Sequence, residues 1–177
     1  MEWYNEPPSW SAFDNTITVT SAHGSDFWRK THYGFIRDSG HFYSQPAQGD
    51  FVCEVKVSGR YEALYDQAGL MVRADEATWM KCGIEYVEGV QHVSAVVTRD
   101  YSDWSVVPLP QNPPALWLRV TRKEGSLEVH YSLDGERYSL LRVTYLTPGP
   151  VSVGVMCASP EGPGFTTTFE GFVIHGV

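Results

Sequence analysis

The chain has 177 residues, of which 42% are hydrophobic and 14% aromatic, and it carries a formal net charge of -8 at pH 7. This length suits a single domain over residues 1–177 with a full hydrophobic core. The acidic balance argues against nucleic acid as a partner, because such a surface repels phosphate backbones. No run of residues approaches the roughly 18 consecutive apolar positions of a membrane span, so we expect no membrane partner.

The N-terminal residues and the cysteines predict a cytoplasmic protein. The first ten residues, MEWYNEPPSW, have neither the basic segment nor the apolar segment of a secretory signal. Cys53, Cys82 and Cys157 are far apart, and each falls on the apolar side of a predicted strand. We therefore expect buried, reduced thiols that act as small hydrophobic residues.

Alternation of apolar and polar residues predicts β-strands along most of the chain, and no stretch of a dozen residues keeps a helical apolar rhythm. Glu88-Gly89, Glu124-Gly125 and Asp134-Gly135 mark hairpin turns. About a dozen strands joined mostly by hairpins predict an all-β fold, a two-sheet antiparallel sandwich in the form of a jelly roll. The predicted strands cover residues 16–20, 41–44 and 51–57, three segments between 64 and 105, and then 104–107, 116–122, 127–132, 138–143, 151–158 and 166–174.

An aromatic-rich segment, DFWRKTHYGF at residues 26–35, has two interpretations. It contains His32, the histidine of most interest if distant residues assemble a metal site. It also suits an edge strand and a loop that pack over the core. The sequence leaves both open.

The three strands between Leu64 and Ser105 sort their side chains onto two faces, because side chains alternate across a strand. One face is apolar and includes Leu70, Cys82 and Ala95. The interleaved positions form a second face, which we expect to be exposed and to suit a polar ligand. They are Gln67, Arg73, Trp79, Lys81, Glu85, Ser94 and Thr98.

Trp79, Lys81 and Glu85 form the centre of this second face. A flat indole offers a platform for the C–H face of a sugar ring, while Lys81 and Glu85 can hydrogen-bond to hydroxyls. The alternative is a cross-strand ion pair beside a packed aromatic, worth about 0.2–1 kcal/mol and without a ligand. Trp104, within SDWS, either roofs the same face or closes the edge of the sandwich.

A glycan-active hydrolase is a second interpretation. Asp66 and Asp103 flank the polar face at strand edges, and suitably spaced carboxylates cleave glycosidic bonds. However, the run Glu-x-Asp-x-x-Glu of several sandwich-fold glucanases does not occur. If the protein is an enzyme, the candidates are Glu85, Asp66 and Asp103, with Lys81 tuning the pKa of Glu85; otherwise no catalytic residue is expected.

Motifs for metal, phosphate and acyl-transfer chemistry are absent from the sequence. The six histidines form neither H-x-H nor H-E-x-x-H, the glycines fall singly at turns, and there is no G-x-S-x-G elbow. We therefore expect no metal site and no cofactor.

Seven segments in order resemble the concanavalin A-like "regulation of enolase" family, which is also described as a domain of unknown function. They are WYNEPPSW, DFWRKTHYGF, LYDQAGLMVR, WMKCGIEYVEG, SAVVTRDYSDWS, WLRVTR and YSLDGERY. Within them YDQAG, KCGIE and SDWS form the most specific signature, and the resemblance runs from Trp3 to about Phe172. It implies a galectin-like or glucanase-like sandwich. Related domains occur with carbohydrate-active proteins, while the family name points to an influence on enolase.

Together these observations predict a lectin-like domain that binds a saccharide or another small polar ligand on the concave sheet. Trp79 and Trp104 would stack on the ligand. Gln67, Lys81 and Glu85 would hydrogen-bond to it, with Asp66 and Ser94 orienting those groups. A protein-interaction module that acts on a metabolic enzyme is a further alternative, with that enzyme as the protein partner.

Overall fold

Two antiparallel β-sheets lie face to face in the computed structural model, which describes residues 1–176. The predicted all-β, two-sheet sandwich is therefore confirmed. In chain order the strands of the described residues are Glu2–Tyr4 (β1), Ser9–Phe13 (β2), Thr16–Thr20 (β3), Phe27–Arg29 (β4), Ile36–Asp38 (β5), His41–Ala47 (β6), Phe51–Gly59 (β7), Gln67–Arg73 (β8), Thr78–Val87 (β9), Val90–Arg99 (β10), Tyr101–Leu109 (β11), Leu116–Lys123 (β12), Ser126–Ser132 (β13), Ser139–Tyr145 (β14), Val151–Ala158 (β15) and Thr166–Gly176 (β16).

The first sheet has the order β1-β6-β15-β8-β9-β10-β11, and the second has the order β14-β13-β12-β7-β16-β3-β2. Strands β4 and β5 form a separate hairpin. The three strands predicted between Leu64 and Ser105 are β8, β9 and β10, which pair in sequence order within the first sheet.

The inward faces of the two sheets share one hydrophobic core. Leu70, Cys82 and Ala95 of the first sheet lie in it, together with Val55 and Leu118 of the second. The alternation predicted for β8 to β10 is confirmed on this side, because an apolar residue at every second position faces the opposing sheet.

The outward face of the first sheet is covered, which corrects the prediction that it is exposed. Phe27, from β4, packs with Met71, Trp79 and Val96 in a second hydrophobic cluster on this face. The polar residues beside the cluster are buried too. Gln67, Lys81, Glu85, Ser94 and Thr98 are all at most 7% exposed.

Ion pairs fasten the hairpin to the first sheet. The Arg73 guanidinium donates to both carboxylate oxygens of Asp38, at 2.7 and 2.8 Å. At the other end, Arg29 and Lys30 both donate to the Asp100 carboxylate, at 2.9 and 2.7 Å. For the segment at residues 26–35, packing over a core is therefore the interpretation that the structure confirms.

Strands β1, β2 and β5 were not predicted, and β4 was expected only as one interpretation of residues 26–35. Three of these four strands have three residues, which is too few to show an alternation, so pairing in the tertiary structure decides their conformation.

The three cysteines are buried and free, as predicted. Burial raises the pKa of all three thiols, and that of Cys53 reaches about 12. Reactive thiolates are therefore disfavoured at these positions. In the described part of the chain, no helix is long and apolar enough to cross a membrane.

Two glycines allow β8 and β9 to approach closely beneath the cover. Gly69 and Gly83 lie opposite each other in the register. A Cβ on Gly69 would lie 1.9 Å from the Cys82 carbonyl oxygen, and a Cβ on Gly83 would lie 2.1 Å from the Ala68 oxygen. Both neighbours are backbone atoms, which leave no room for a Cβ, so only glycine fits at these two positions. The outward face therefore carries no side chain at this pair.

Gly69→Ala should lower the free energy of unfolding by about 1–3 kcal/mol, because the new methyl group meets backbone that cannot move aside. Urea unfolding followed by tryptophan fluorescence measures the change. Gly176→Ala is the matched control, since a Cβ there has no atom within 4 Å. Equal stability of the two variants would contradict the close approach.

Candidate functional site

A cleft of about 100 Å³ lies between the outward face of the first sheet and the β4–β5 hairpin. Its floor comes from the sheet, and its walls come from the hairpin, β11 and two loops. For comparison, a closed cavity of about 150 Å³ holds a benzene ring. The lining residues are Asp26, Trp28, Tyr33, Phe35, Arg37, Tyr65, Gln67, Lys81, Glu85, Trp104, Pro160 and Glu161.

The floor combines an amide, an ammonium and a carboxyl group. Lys81 and Glu85 are four residues apart on β9, so both point to the same side of the sheet. Gln67 is the β8 partner of Glu85 in the register. The strand pairing therefore brings the three side chains together without help from any loop.

The Lys81 ammonium connects the sheet to the cover. It donates to the backbone oxygen of Phe27 at 2.8 Å and also to the side-chain oxygen of Gln67. The Asp26 carboxylate lies 3.9 Å away. Lys81 is 5% exposed, so these contacts replace water around a charge that would otherwise be costly to bury.

Glu85 is held from the opposite side. One carboxyl oxygen accepts hydrogen bonds from the Ser94 hydroxyl at 2.7 Å and from the Trp104 indole N–H at 2.8 Å. Ser94 lies on the outward face of β10, the strand beside β9, and Trp104 lies on β11, the strand after it. These two donors fix the orientation of the carboxyl group in the floor.

The two buried acids of the cleft, Asp26 and Glu85, hold their protons more tightly than usual. Burial raises the pKa of Asp26, and the nearby Lys81 ammonium only partly offsets this. Burial likewise raises the pKa of Glu85, against the opposing effects of Lys81, Ser94 and Trp104. A carboxyl group of this kind can donate as well as accept a hydrogen bond.

Aromatic rings form the walls. Tyr33 stacks on Phe35 with ring centroids 5.3 Å apart and meets Trp28 edge-on at 5.7 Å. Across the cleft, Tyr65 meets Trp104 edge-on at 6.2 Å.

Two of these rings also meet each other, since the Tyr33 and Tyr65 hydroxyls lie 3.3 Å apart. The contact with Tyr33, followed by burial, raises the pKa of Tyr65 to about 12. The Tyr65 hydroxyl therefore stays protonated at neutral pH and can donate a hydrogen bond.

Most of the predicted ligand-binding residues meet at this cleft. Gln67, Lys81, Glu85 and Trp104 line it, and Ser94 lies directly behind Glu85. Trp104 roofs the polar face, which was one of its two interpretations.

Trp79 lies elsewhere, so the stacking role predicted for it does not fit the structure. Its ring is 1% exposed and packs against Phe27, with centroids 6.2 Å apart. Its indole N–H donates to the Glu76 carbonyl oxygen at 3.3 Å. The sequence pattern placed it on the correct side of the sheet but could not show that the hairpin covers it.

Asp66 is also a structural residue. Its carboxylate accepts backbone N–H groups of Glu62 and Ala63 at 3.0 and 2.9 Å, and the Ser159 hydroxyl at 2.6 Å. It therefore holds the loop before β8, which carries Tyr65, and it does not line the cleft.

The carboxylate pair predicted for a hydrolase does not assemble. Asp66 is occupied as described, and Asp103 pairs with Arg142 at 3.1 Å outside the cleft. The acids that accompany Glu85 in the cleft are Asp26 and Glu161. Among residues 1–176, no group of three His, Cys, Asp or Glu side chains is arranged to hold a metal ion.

Several lining residues were not among the predicted site residues. Asp26, Trp28, Tyr33 and Phe35 come from the aromatic-rich segment, whose composition was the available signal. Tyr65, at the end of the loop before β8, and Glu161, in the loop after β15, reach the cleft through loop conformations that no periodicity reveals.

A family described as "Protein of unknown function (DUF1349)" matches residues 3–176. The chain belongs to this family. A relative named "Regulation of enolase protein 1", from Saccharomyces cerevisiae, is 42% identical over 172 residues, which make up 95% of this chain and 85% of that protein. The resemblance to the regulation-of-enolase family is thus confirmed.

Solved structures share the fold. A functionally unknown protein from Saccharomyces cerevisiae has a TM-score of 0.95 at 39% identity, over 99% of this chain and 96% of that one. A mutant of the GH43 protein BlXynB from Bacillus licheniformis has a TM-score of 0.73 at 14% identity, over 97% of this chain and 36% of that one. A legume lectin-like domain from Entamoeba histolytica has a TM-score of 0.64 at 13% identity, over 99% of this chain and 90% of that one. The last two likenesses show the fold alone, and they confirm the predicted concanavalin A-like sandwich.

Glu85→Gln should change how stability depends on pH. Because burial raises the pKa of Glu85, the native protein keeps a proton that the unfolded chain releases above about pH 4.3. The stabilising contribution is therefore full at acidic pH and is lost as the pH rises through the raised pKa. Glutamine does not titrate, so the variant should gain stability relative to the wild type as the pH rises above about 4.3, until the pH passes the raised pKa of Glu85.

Urea unfolding across this range measures the difference. Glu128→Gln, at an exposed position on β13 of the other sheet, is the matched control. A stability difference between Glu85→Gln and wild type that stays constant with pH would contradict the assignment.

Proposed function

We propose that this domain binds a saccharide, or a chemically similar polar ring, in the cleft between the first sheet and the β4–β5 hairpin. The observation that carries the proposal is the pairing of a buried polar floor with aromatic walls. A sugar ring has apolar C–H faces and polar edges, so it suits a site in which rings stand beside hydrogen-bonding groups.

The buried charges support a binding role because the fold gains little from them. Asp26, Lys81 and Glu85 are 5–7% exposed, and buried ion groups are often replaceable by apolar side chains at no cost in stability. Hydrogen bonding to a ligand would explain why charged groups, and not apolar side chains, occupy the floor.

The structural neighbours support a saccharide ligand only through the fold that they share with this chain. One structural neighbour is named lectin-like and another is a GH43 protein, at identities of 13% and 14%. The proposal for this chain therefore rests on the cleft itself.

Tyr33→Ala should weaken saccharide binding by about 1–2 kcal/mol, or roughly 5- to 30-fold in Kd, because it removes one wall of the cleft. Isothermal titration calorimetry with D-glucose, D-galactose, D-xylose and L-arabinose measures the effect. The Tyr33 side chain is half exposed, so the variant should stay folded.

Tyr145→Ala is the matched control, since Tyr145 is as exposed as Tyr33 but lies on β14 of the other sheet. Equal losses in the two variants would contradict the assignment of the cleft. No binding of any of the four sugars or of their oligomers would contradict the proposed function.

A second candidate function, a protein-interaction module, is favoured by β14. This edge strand exposes Leu140, Val143 and Tyr145, each at least 50%. The name of the Saccharomyces cerevisiae relative points to enolase as the metabolic enzyme to test. If this function is correct, purified enolase should bind the wild type, and Val143→Asp should abolish that binding without changing the thermal midpoint. Equal binding of enolase by the wild type and by Val143→Asp would contradict this function.

A further inference from the structure

We propose that the cleft is one end of a longer site, and that the ligand is an uncharged oligosaccharide of two or more rings. This inference rests on the proposed function and specifies its ligand. A second groove, of about 550 Å³, adjoins the cleft and shares three of its lining residues, Trp28, Tyr33 and Trp104. The same aromatic side chains therefore bound both spaces.

The volumes of the two spaces argue for more than one ring. The cleft has about 100 Å³, less than the roughly 150 Å³ of a closed cavity that holds benzene, so a sugar ring on the floor must extend out of it, whereas the groove is several times larger. A chain with one ring over the polar floor would place its next ring in the groove. Trp28 and Trp104, both partly exposed, would contact the two rings in turn.

The groove carries hydrogen-bonding groups of its own. Its lining includes two exposed polar side chains, His32 and Asp103. The Asp103 carboxylate is fixed by Arg142 at 3.1 Å, so it can accept a hydrogen bond from a ligand hydroxyl in a defined position.

The turn between β4 and β5 is held in place before any ligand binds. The Thr31 carbonyl oxygen accepts the Trp28 indole N–H at 2.9 Å. Next to it, Arg29 donates its backbone N–H to the Ser102 hydroxyl at 2.9 Å, and Lys30 pairs with Asp100. A preformed groove avoids the entropic cost of ordering a loop on binding.

The charges of the site favour an uncharged sugar. Four acids, Asp26, Glu85, Asp103 and Glu161, line the cleft or the groove, against two cations, Lys81 and Arg37. Lys81 donates to a backbone oxygen and an amide and has Asp26 at 3.9 Å, while Arg37 has Glu161 at 3.9 Å and lies over the Phe35 ring. A uronic acid or a sulfated sugar would therefore compete with an acid already placed beside each cation.

The experiment compares chain lengths in two series, xylose to xylotetraose and glucose to cellotetraose, by isothermal titration calorimetry on the full chain. We expect the Kd to fall at least tenfold from the monosaccharide to the di- or trisaccharide in one series and then to level off. Equal affinity for all lengths would overturn the two-ring site but leave the proposed function standing. Failure of every sugar to bind would overturn both. Tighter binding of trigalacturonate than of either neutral trisaccharide would overturn the preference for an uncharged ligand.

His32→Ala tests the exposed side of the groove, with His175→Ala on β16 as the matched control. The affinity ratio between trisaccharide and monosaccharide should fall about fivefold for His32→Ala, because only the longer ligand reaches the groove, and should stay constant for His175→Ala. If His32→Ala keeps the wild-type ratio, the groove takes no part in binding and the inference is wrong.

Discussion

The buried ammonium of Lys81 is the interaction on which the rest of the cleft depends. Its strand is central in a sheet whose outward face would ordinarily meet water. Here the Phe27 carbonyl oxygen, the Gln67 amide oxygen and the Asp26 carboxylate surround it. Two of these partners come from the segment that covers the sheet, so satisfying one charge also positions the cover.

The cover has two parts with different chemistry. On one side Phe27 seals an apolar cluster with Met71, Trp79 and Val96. On the other side the sheet presents Gln67, Lys81 and Glu85, and the aromatic rings of the hairpin stand over them without filling the gap. The apolar cluster fixes the distance between the hairpin and the sheet. Over the polar residues the side chains of the hairpin do not fill this distance, and the space that remains is the cleft.

Glu85 shows how the sheet itself tunes the site. Its donors, Ser94 and Trp104, follow from the register of β9, β10 and β11 and need no specialised loop. Gly69 and Gly83 leave the neighbouring pair of positions without side chains, so nothing crowds the floor. A regular sheet therefore places a buried acid, its two donors and an open surface together.

Strand periodicity was sufficient to predict the sandwich, its inner core and the convergence of Gln67, Lys81, Glu85 and Ser94. These features depend on alternation and on adjacent pairing, which are local properties of a strand. For Trp104 the sequence left two positions open, and the structure places it over the polar face. The roles predicted for Trp79 and Asp66 failed for a non-local reason. Trp79 is covered by a hairpin from more than forty positions earlier in the chain, and Asp66 accepts hydrogen bonds from a loop and from Ser159.

Alternation along each strand fixes which side chains share a face of the sheet, because a period of two leaves no other arrangement. Which of those side chains remain accessible to a ligand depends on contacts between segments that are distant in the chain. Accessibility depends on where the β4–β5 hairpin and the loops around Tyr65 and Glu161 come to rest, and short irregular segments take their conformation from the surface they pack against. Asp26 and the aromatic walls entered the site by that route, through contacts distant in sequence.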